Sequence, residues 1–324
     1  MKCINKFISI IFIGLLLQTA GCRGMDYSLP YSADSSLTTI RYSAEDSRGI
    51  AEGFSSGICI VSEDILSSGV DTSEAGAAGL FDIKNKQTLY AKAVHEKLSP
   101  ASLTKIMTVL VALENGSPDQ TITATDTVKN LEKGAATAGI KAGDTMTLDQ
   151  ALHMLMVSSS NDVALMVAES IGGTVDHFVE MMNERAKQLG ATNTHFMNPH
   201  GLTDPDHYTT AYDMYLIFNT AIKYESFSQI ISMNSYQTTY YDKNGKPLQF
   251  NATSSNKYFK GQYEIPENIT VLGGKSGSTN AAGQCLILQA KDIRGNSYIA
   301  VVMKCTDVDT LYATMTDLLD EIDK

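Results

Sequence analysis

The 324-residue sequence contains no tryptophan, and cysteine and proline are scarce, with five and seven residues respectively. It has no block of basic residues, and its formal net charge of −11 argues against a nucleic-acid partner. No collagen, coiled-coil or solenoid period is visible in it. The hydrophobic content of 43% is ordinary for a globular protein. A chain of this length can therefore bury a sizeable core, in one large domain or two small ones.

Long hydrophobic runs are also missing, apart from one apolar stretch near the N-terminus over residues 7–17. This stretch is interrupted by Ser9 and Gly14 and is too short for a comfortable membrane-spanning helix. Lys2 and Lys6 precede it, and small residues follow it. A basic start, a short apolar core and small residues are the layout of a secretory signal peptide, which we predict over residues 1–21.

The end of this signal predicts how the protein is attached to the cell. Ala20-Gly21-Cys22 resembles a bacterial lipobox, although Thr19 stands where leucine is usual. We therefore predict that Cys22 becomes the lipidated first residue, which would hold the protein on the outer face of the cytoplasmic membrane. Residues 22–56 are rich in small and polar residues and are interpreted as a tether. The alternative is a plain signal peptide with a coincidental cysteine.

Cys3 leaves with the predicted signal peptide and Cys22 is assigned to the lipid, so three of the five cysteines remain. These three match no zinc-binding spacing, and three is an odd number for a disulfide-built protein. Cys285 and Cys305 could pair across neighbouring strands, but buried free thiols are the favoured interpretation for them and for Cys59. We predict no metal and no cofactor.

Hydrophobic periodicity divides the chain into strands at both ends and helices between them. The pattern predicts a hairpin over residues 79–91 and a largely buried helix that begins at Ser102. Further helices are predicted over residues 148–157, 161–171, 175–189, 210–223 and 311–322, and strands over 238–241, 271–274, 284–289 and 298–304. This order predicts an α+β domain over residues 57–324, in which a sheet from the early and late chain carries an inserted helical subdomain at about 120–225.

Three short motifs bring together residues with catalytic chemistry. Ser102 and Lys105 are three residues apart, so they share a helix face and the lysine amine can activate the serine hydroxyl. Ser159 and Asn161 follow in a predicted loop, where a hydroxyl can relay a proton and an amide can hold a substrate. Each pattern alone more often means a capped helix.

The third motif lies on a predicted strand and supplies a cation, a hydroxyl and a glycine that allows close backbone approach: Lys275, Ser276, Gly277 and Ser278. Alone it is an ordinary polar strand end. In this order, however, the three motifs match the Ser-x-x-Lys, Ser-x-Asn and Lys-Thr-Gly set of penicillin-binding proteins and class A β-lactamases.

The segments around these motifs resemble those of one family, the serine D-alanyl-D-alanine carboxypeptidases. The similarity covers roughly residues 76–304 and includes the segments 100–108, 159–164, 196–202, 207–211 and 274–283. It implies a β-lactamase/transpeptidase-like fold and an enzyme that removes the terminal D-alanine from peptidoglycan stem pentapeptides. It also implies that β-lactams acylate the enzyme as substrate mimics.

The same resemblance implies a role for each motif residue. Ser102 would attack the peptide carbonyl after losing its proton to Lys105, and Ser159 would protonate the leaving group. Asn161 would hold the substrate or the lysine. Backbone N–H groups of Ser102 and Ser278 would form the oxyanion hole, and Lys275 with Ser276 would bind the substrate carboxylate. In the family, His200 and His207 lie in a structural turn.

Two departures from the family pattern bear on substrate binding. The third motif is Lys-Ser-Gly, which keeps the hydroxyl of the usual threonine at Ser276. Some relatives use an arginine shortly before this motif to bind the carboxylate, yet no arginine lies between Arg185 and Arg294. Carboxylate recognition must therefore fall to Lys275, Ser276, Ser278 or backbone groups.

Three alternatives remain beside the carboxypeptidase. A class A β-lactamase needs a glutamate after the second motif to activate water, and residues 185–203 contain no acidic residue, which disfavours it. A catalytically silent wall-binding protein is disfavoured by the intact motifs. A D,D-endopeptidase on the same fold stays open.

Overall fold

The computed structural model describes residues 57–323. A five-stranded antiparallel sheet has the spatial order β2-β1-β9-β8-β7 and so combines the early and late chain, as predicted. Its strands are β1 (Ala77–Asp82), β2 (Gln87–Lys92), β7 (Ile269–Thr279), β8 (Gly283–Asp292) and β9 (Ser297–Cys305).

Seven α-helices are described in residues 57–323. They are α1 (Thr104–Asn115), α2 (Leu148–Ser158), α3 (Asn161–Gly172), α4 (Val175–Gln188), α5 (Ala211–Ala221), α6 (Glu225–Ile231) and α7 (Val308–Asp320). Six were predicted from periodicity, and only α6 was missed. The capping box that predicted the start of α2 is present, with Thr147 and Gln150 each accepting the other's backbone N–H.

Alternate residues of each strand point to opposite faces of the sheet, and helices cover both of these faces. Phe81, Ile287 and Val301 belong to the larger core, which includes the helices inserted between β2 and β7. Leu286 and Val302 belong to a second core beneath α7. Both faces are apolar, which explains why the strands read as nearly continuous hydrophobic runs.

A second sheet, which the sequence did not predict, has the order β3-β4-β5-β6. It contains β3 (Thr121–Thr123), β4 (Thr145–Thr147), β5 (Ser235–Tyr241) and β6 (Pro247–Thr253). The strand predicted at 238–241 therefore belongs to this second sheet and not to the sheet built from the early and late chain. A turn over residues 242–246 joins β5 to β6, with Gly245 at a positive φ of 76°. This hairpin pairs with β4, inside the predicted helical subdomain.

The three cysteines in the described part of the chain, Cys59, Cys285 and Cys305, are free and buried, as favoured from the sequence. The predicted signal peptide, the tether and Cys22 lie outside the described residues. Between residues 57 and 323, no helix combines the length and the apolar character needed to cross a bilayer.

Candidate active site

Ser102 lies in a 3₁₀ turn, Ala101–Leu103, immediately before α1 rather than in the α-helix itself. Ala101 holds a positive φ of 46°, a conformation that non-glycine residues rarely adopt. Gly201 packs so closely that a Cβ there would lie 1.8 Å from the Ala101 carbonyl oxygen. On the other side, a Cβ on Gly277 of β7 would lie 2.7 Å from the Ser102 nitrogen. Two glycines therefore let three chain segments meet at Ser102.

Lys105 is fully buried and donates hydrogen bonds to three uncharged acceptors. Its Nζ lies 3.0 Å from Ser102 Oγ, 2.6 Å from Asn161 Oδ1 and 2.6 Å from the His200 carbonyl oxygen. Burial, reinforced by the charge of Lys275, holds the pKa of Lys105 well below its usual range, while Asp162 opposes this shift. An ammonium that lacks a contacting carboxylate readily loses its proton, so this amine can accept one from the serine.

The second motif lies where α2 ends and α3 begins. Ser159 turns the chain in the left-handed conformation, with φ 59° and ψ 34°, and Asn161 is the first residue of α3. Next to it, the buried Asp162 carboxylate accepts the backbone N–H groups of residues 138, 139 and 140. The Asn161 N–H also donates to the Ala136 carbonyl oxygen. The second motif therefore anchors the loop that precedes it by about 25 residues.

The third motif forms part of β7 at the edge of the main sheet. Lys275 is only 2% exposed, and burial lowers its pKa to about 7. Its Nζ donates to the Ser276 carbonyl oxygen at 2.7 Å. The Ser276 hydroxyl lies 2.7 Å from the hydroxyl of Ser255, a residue just after β6. The hydroxyl at position 276 is thus accessible, whereas the Lys275 side chain is not.

The two histidines predicted to be structural are both buried and neutral. Burial lowers the pKa of His200 to about 3 and that of His207 to about 4. Nδ1 of His207 accepts the Met197 N–H, so Nε2 carries the proton and donates to Thr104 Oγ1 at 2.9 Å. Together with the Lys105 contact to the His200 carbonyl, this bond ties residues 197–207 to the start of α1.

Two cavities meet at Ser102. The first, here called the β7 cavity, has a volume of about 250 Å³ and is lined by Ser102, Ser159, Ser255, Lys257, residues 276–278 and parts of β8 and α7. The second, here called the loop cavity, has a volume of about 460 Å³ and is lined by Ser102, residues 132–136, Asn161, residues 200–203 and residues 278–280. Pockets of this size suit small ligands or peptide segments.

The structure brings six of the seven other predicted catalytic and substrate-binding residues to the nucleophile Ser102. Lys105 contacts Ser102 directly, and the others line one or both cavities, except Lys275, which lies buried behind the wall. Sequence reasoning missed three nearby charged residues: Lys257, Glu132 and Asp162. Asp162 follows Asn161 directly, and this adjacency was the one available signal. No trio of histidine, cysteine, aspartate or glutamate within residues 57–323 is arranged to hold a metal ion.

A comparison with protein families matches residues 65–307 to the D-alanyl-D-alanine carboxypeptidases of peptidase family S11. The chain is 34% identical to the D-alanyl-D-alanine carboxypeptidase DacF of Bacillus subtilis over 253 residues, 76% of this chain and 61% of that protein. It is 31% identical to DacB2 of Mycobacterium tuberculosis over 224 residues, 68% of this chain and 72% of that protein. It thus spans about three-fifths of the length of the first relative.

Among solved structures, the Streptomyces K15 DD-transpeptidase superposes with a TM-score of 0.70. The alignment covers 76% of this chain and 96% of the transpeptidase, at 26% sequence identity. The predicted α+β fold of the β-lactamase/transpeptidase type, with helices flanking an antiparallel sheet, is therefore confirmed.

Proposed function

Because the chain belongs to the D-alanyl-D-alanine carboxypeptidase family, we propose that it is a serine D,D-carboxypeptidase acting on peptidoglycan stem pentapeptides. The observation that carries this proposal is the contact of buried Lys105 with Ser102. Such an amine, held among neutral acceptors, suits the base that a serine nucleophile requires. The loop and β7 cavities on either side of Ser102 supply room for the two parts of a cleaved peptide.

Acylation begins when Lys105 Nζ takes the proton of Ser102 Oγ, which attacks the carbonyl between the last two D-alanines. Backbone N–H groups of Ser102 and Ser278 stabilise the negative charge that forms on the carbonyl oxygen. The C–N bond then breaks as Ser159 delivers its proton to the departing D-alanine nitrogen and receives a replacement from the Lys105 ammonium, which leaves Lys105 neutral again. The charge of the nearby Lys275 supports this transfer, and Asn161 keeps Lys105 oriented through its 2.6 Å hydrogen bond.

Deacylation returns the enzyme to its starting state. A water molecule attacks the acyl ester, Lys105 or Ser159 accepts its proton, and the Ser102 oxygen recovers a proton as the shortened peptide leaves. β-Lactams enter the same scheme as substrate mimics, and their opened ring stays attached to Ser102.

The decisive experiment combines turnover with labelling. The purified chain from residue 57 onward is incubated with an N-acylated stem pentapeptide, and free D-alanine is measured. A fluorescent penicillin is then used to label the protein, and the modified peptide is mapped by mass spectrometry. Release of D-alanine with label on Ser102, both abolished in Ser102→Ala, supports the proposal. Label elsewhere, or no D-alanine from the pentapeptide, would refute it.

A second candidate activity, hydrolysis of cross-links, is favoured by one relative. The chain is 25% identical to a protein named D-alanyl-D-alanine endopeptidase in Escherichia coli, over 71% of its length. Cross-linked muropeptide dimers supplied in the same assay separate the two activities. Faster conversion of dimers than of pentapeptides would make the enzyme an endopeptidase.

The cellular position is part of the proposal. Secretion followed by lipid attachment to Cys22 would hold the enzyme at the outer face of the cytoplasmic membrane, beside its wall substrate. Expression with labelled palmitate tests this, because only the form with Cys22 should incorporate label and stay membrane-bound. A Cys22→Ala protein that still carries lipid would reject the assignment.

A further inference from the structure

The β7 cavity contains one charged side chain among the residues that line it, namely Lys257. Its other lining residues are small, hydroxyl-bearing, amide or apolar, and Ser102 and Ser276 are among them. A cavity of about 250 Å³ that holds a nucleophile, one cation and no carboxylate is suited to a small anionic group. To bind such a group, Lys257 must be held at the cavity wall and its ammonium must lack an anionic partner within the protein.

The backbone of Lys257 is fixed by the second core. Its N–H donates to the Tyr312 hydroxyl at 2.9 Å. Tyr312 is buried on α7 and stacks on Tyr263, with ring centroids 4.4 Å apart. The main chain therefore presents Lys257 at the cavity wall, although the residue lies in a loop.

The ammonium of Lys257 is available for a ligand. Its Nζ lies 5.8 Å from the centroid of the Tyr263 ring, near the outer limit of a cation–π contact. No ion pair with it is found in the described part of the chain. A half-buried lysine without an anionic partner gains free energy when a carboxylate enters, because charge-assisted hydrogen bonds are stronger than neutral ones.

Lys275, to which the sequence assigned this role, is less suitable. It does not line the cavity, is 2% exposed, and directs its Nζ to the carbonyl oxygen of Ser276. The Ser276 hydroxyl does face the cavity and can donate to an anion once its bond with Ser255 rearranges. The one cation among the residues that line this cavity, Lys257, therefore lies outside the three motifs.

We propose that Lys257 binds the C-terminal carboxylate of the stem peptide, together with the Ser276 hydroxyl. This inference rests on the proposed function and names the residue that replaces the arginine used by some relatives. The lysine acts as a point charge on a flexible stem, so its contribution is affinity and orientation of the departing D-alanine. Lys257 is thus a specificity-determining residue that takes no proton in the reaction.

The test compares Lys257→Gln and Lys257→Arg with the charge-matched control Lys260→Gln. Lys260 is exposed, lies three residues further along the same loop, and is absent from both cavity walls. Each variant is assayed with a penicillin and with its methyl ester, and acylation of Ser102 is followed by mass spectrometry. The strained ring acylates without its carboxylate, so the ester reports folding and chemistry independently of the proposed contact.

We expect Lys257→Gln to slow acylation by the free acid by about 10- to 100-fold, as loss of a charge-assisted hydrogen bond does. Acylation by the ester should stay within about twofold, and Lys257→Arg should recover most of the loss because it keeps the charge. KM for the pentapeptide should rise in Lys257→Gln, with a smaller change in kcat.

Equal losses on acid and ester, or no loss on either, would overturn the assignment of Lys257 while leaving the carboxypeptidase proposal intact. A parent protein that is acylated by penicillin but releases no D-alanine from the pentapeptide would overturn both. An effect of the same size in Lys260→Gln would overturn the assignment of Lys257, because general surface charge would then account for the slower acylation.

Discussion

The two cavities that meet at Ser102 differ in how their walls are built. The β7 cavity is bounded largely by β7, β8 and α7, and its single charged residue, Lys257, comes from a loop. The loop cavity is bounded mainly by two connecting segments, residues 132–136 and 200–203, with the end of β7 beside them, and carries both Glu132 and Lys133. A rigid wall with one cation suits a fixed terminal carboxylate. A wall of loops suits a longer and more variable group, such as the rest of a stem peptide.

This difference divides the proposed reaction between the two sides of the nucleophile. The departing D-alanine would occupy the β7 cavity, and the acyl part of the peptide would occupy the loop cavity. Ser102 and Ser278 line both cavities, which fits the position of the bond that breaks. Substitutions at the shared centre should therefore affect the whole reaction, and substitutions on one side should affect only the part of the substrate bound there.

The largest effect is expected at the shared centre. Lys105→Met should lower acylation by penicillin by about 10³-fold, within the range that loss of a positioned base causes. Lys92→Met is the matched control, because Lys92 also donates to a backbone carbonyl, that of Ala75, but lies on β2, at the opposite edge of the main sheet from β7, and lines neither cavity. Stopped-flow acylation of both variants measures the difference. Comparable losses in the two variants would show that general destabilisation, rather than the missing base, is responsible.

A smaller effect is expected when the loop side is loosened. Asp162→Asn removes the charged acceptor of three backbone N–H groups, so residues 138–140 should lose hydrogen-exchange protection. We expect acylation to slow by about tenfold, because displacement of groups around a reactive centre costs up to about 10²-fold.

The buried Asp144 provides the control, since its carboxylate accepts one N–H in the same loop, that of Lys141. Asp144→Asn should leave acylation near the parent rate. If Asp162→Asn exposes residues 138–140 to exchange without changing acylation, the loop wall has no part in positioning the reactive groups.

The sequence predicted most of the centre and little of its surroundings. Ser102 and Lys105 were predictable because residues three apart at the start of a helix lie side by side, and Asn161 was predictable because the order of the three motifs matches a known set. Lys257 lies in a loop that is held by a hydrogen bond to Tyr312, and Glu132 lies in a loop that is held by hydrogen bonds to Asp162. No local sequence pattern predicts such long-range contacts.

The second sheet was missed for a similar reason. β3 and β4 contain three residues each, too few for a period of two to be distinguished. The turn Asp242-Lys-Asn-Gly between β5 and β6 did offer a local signal for a hairpin. Membership of one sheet or the other, however, is decided by long-range pairing such as Thr145 with Tyr241.

A change in stability with pH should mark the buried lysine behind the β7 cavity. The pKa of Lys275 falls to about 7 on burial, so between pH 7 and its ordinary value of 10.5 the unfolded chain binds a proton that the folded chain does not. Stability from this group therefore rises with pH across that window, by up to about 1.4 kcal/mol per pH unit.

Denaturant unfolding at pH 7 and pH 8.5 measures this contribution as the difference between the parent and Lys275→Met. Between pH 7 and pH 8.5 the free energy of unfolding should rise less in Lys275→Met than in the parent. Part of the rise should remain in the variant, because the lowered pKa of Lys105 also increases stability with pH. Lys291→Met, in the neighbouring strand β8, should follow the parent. Parallel pH profiles for the parent and Lys275→Met would mean that Lys275 stays charged in the fold.

The smallest effect is expected for the acidic residue of the loop cavity, and it decides between a carboxypeptidase and a β-lactamase. Residues 185–203, where a class A β-lactamase would carry its water-activating glutamate, contain no acidic residue, and residues 200–203 line the loop cavity. The structure adds Glu132, which lines the same cavity from another segment. A carboxylate is therefore present on this side of Ser102, and its ability to activate water needs a separate test.

Glu132 lacks the setting of such a base. Its side chain is exposed, and it forms no hydrogen bond or ion pair within residues 57–323 that would aim it at the acyl ester. A general base must lie within hydrogen-bond reach of its water in a fixed geometry, and an exposed side chain on a loop spends most of its time elsewhere.

We therefore expect a long-lived penicilloyl adduct on Ser102. Its lifetime should change by less than about threefold in Glu132→Gln, well short of the effect of losing a positioned base. Intact-protein mass spectrometry after a penicillin pulse measures both lifetimes, and Lys133→Gln controls for altered charge in the same loop. Recovery of the unmodified mass within seconds, slowed about 10²-fold or more in Glu132→Gln alone, would instead establish Glu132 as the deacylating base of a β-lactamase.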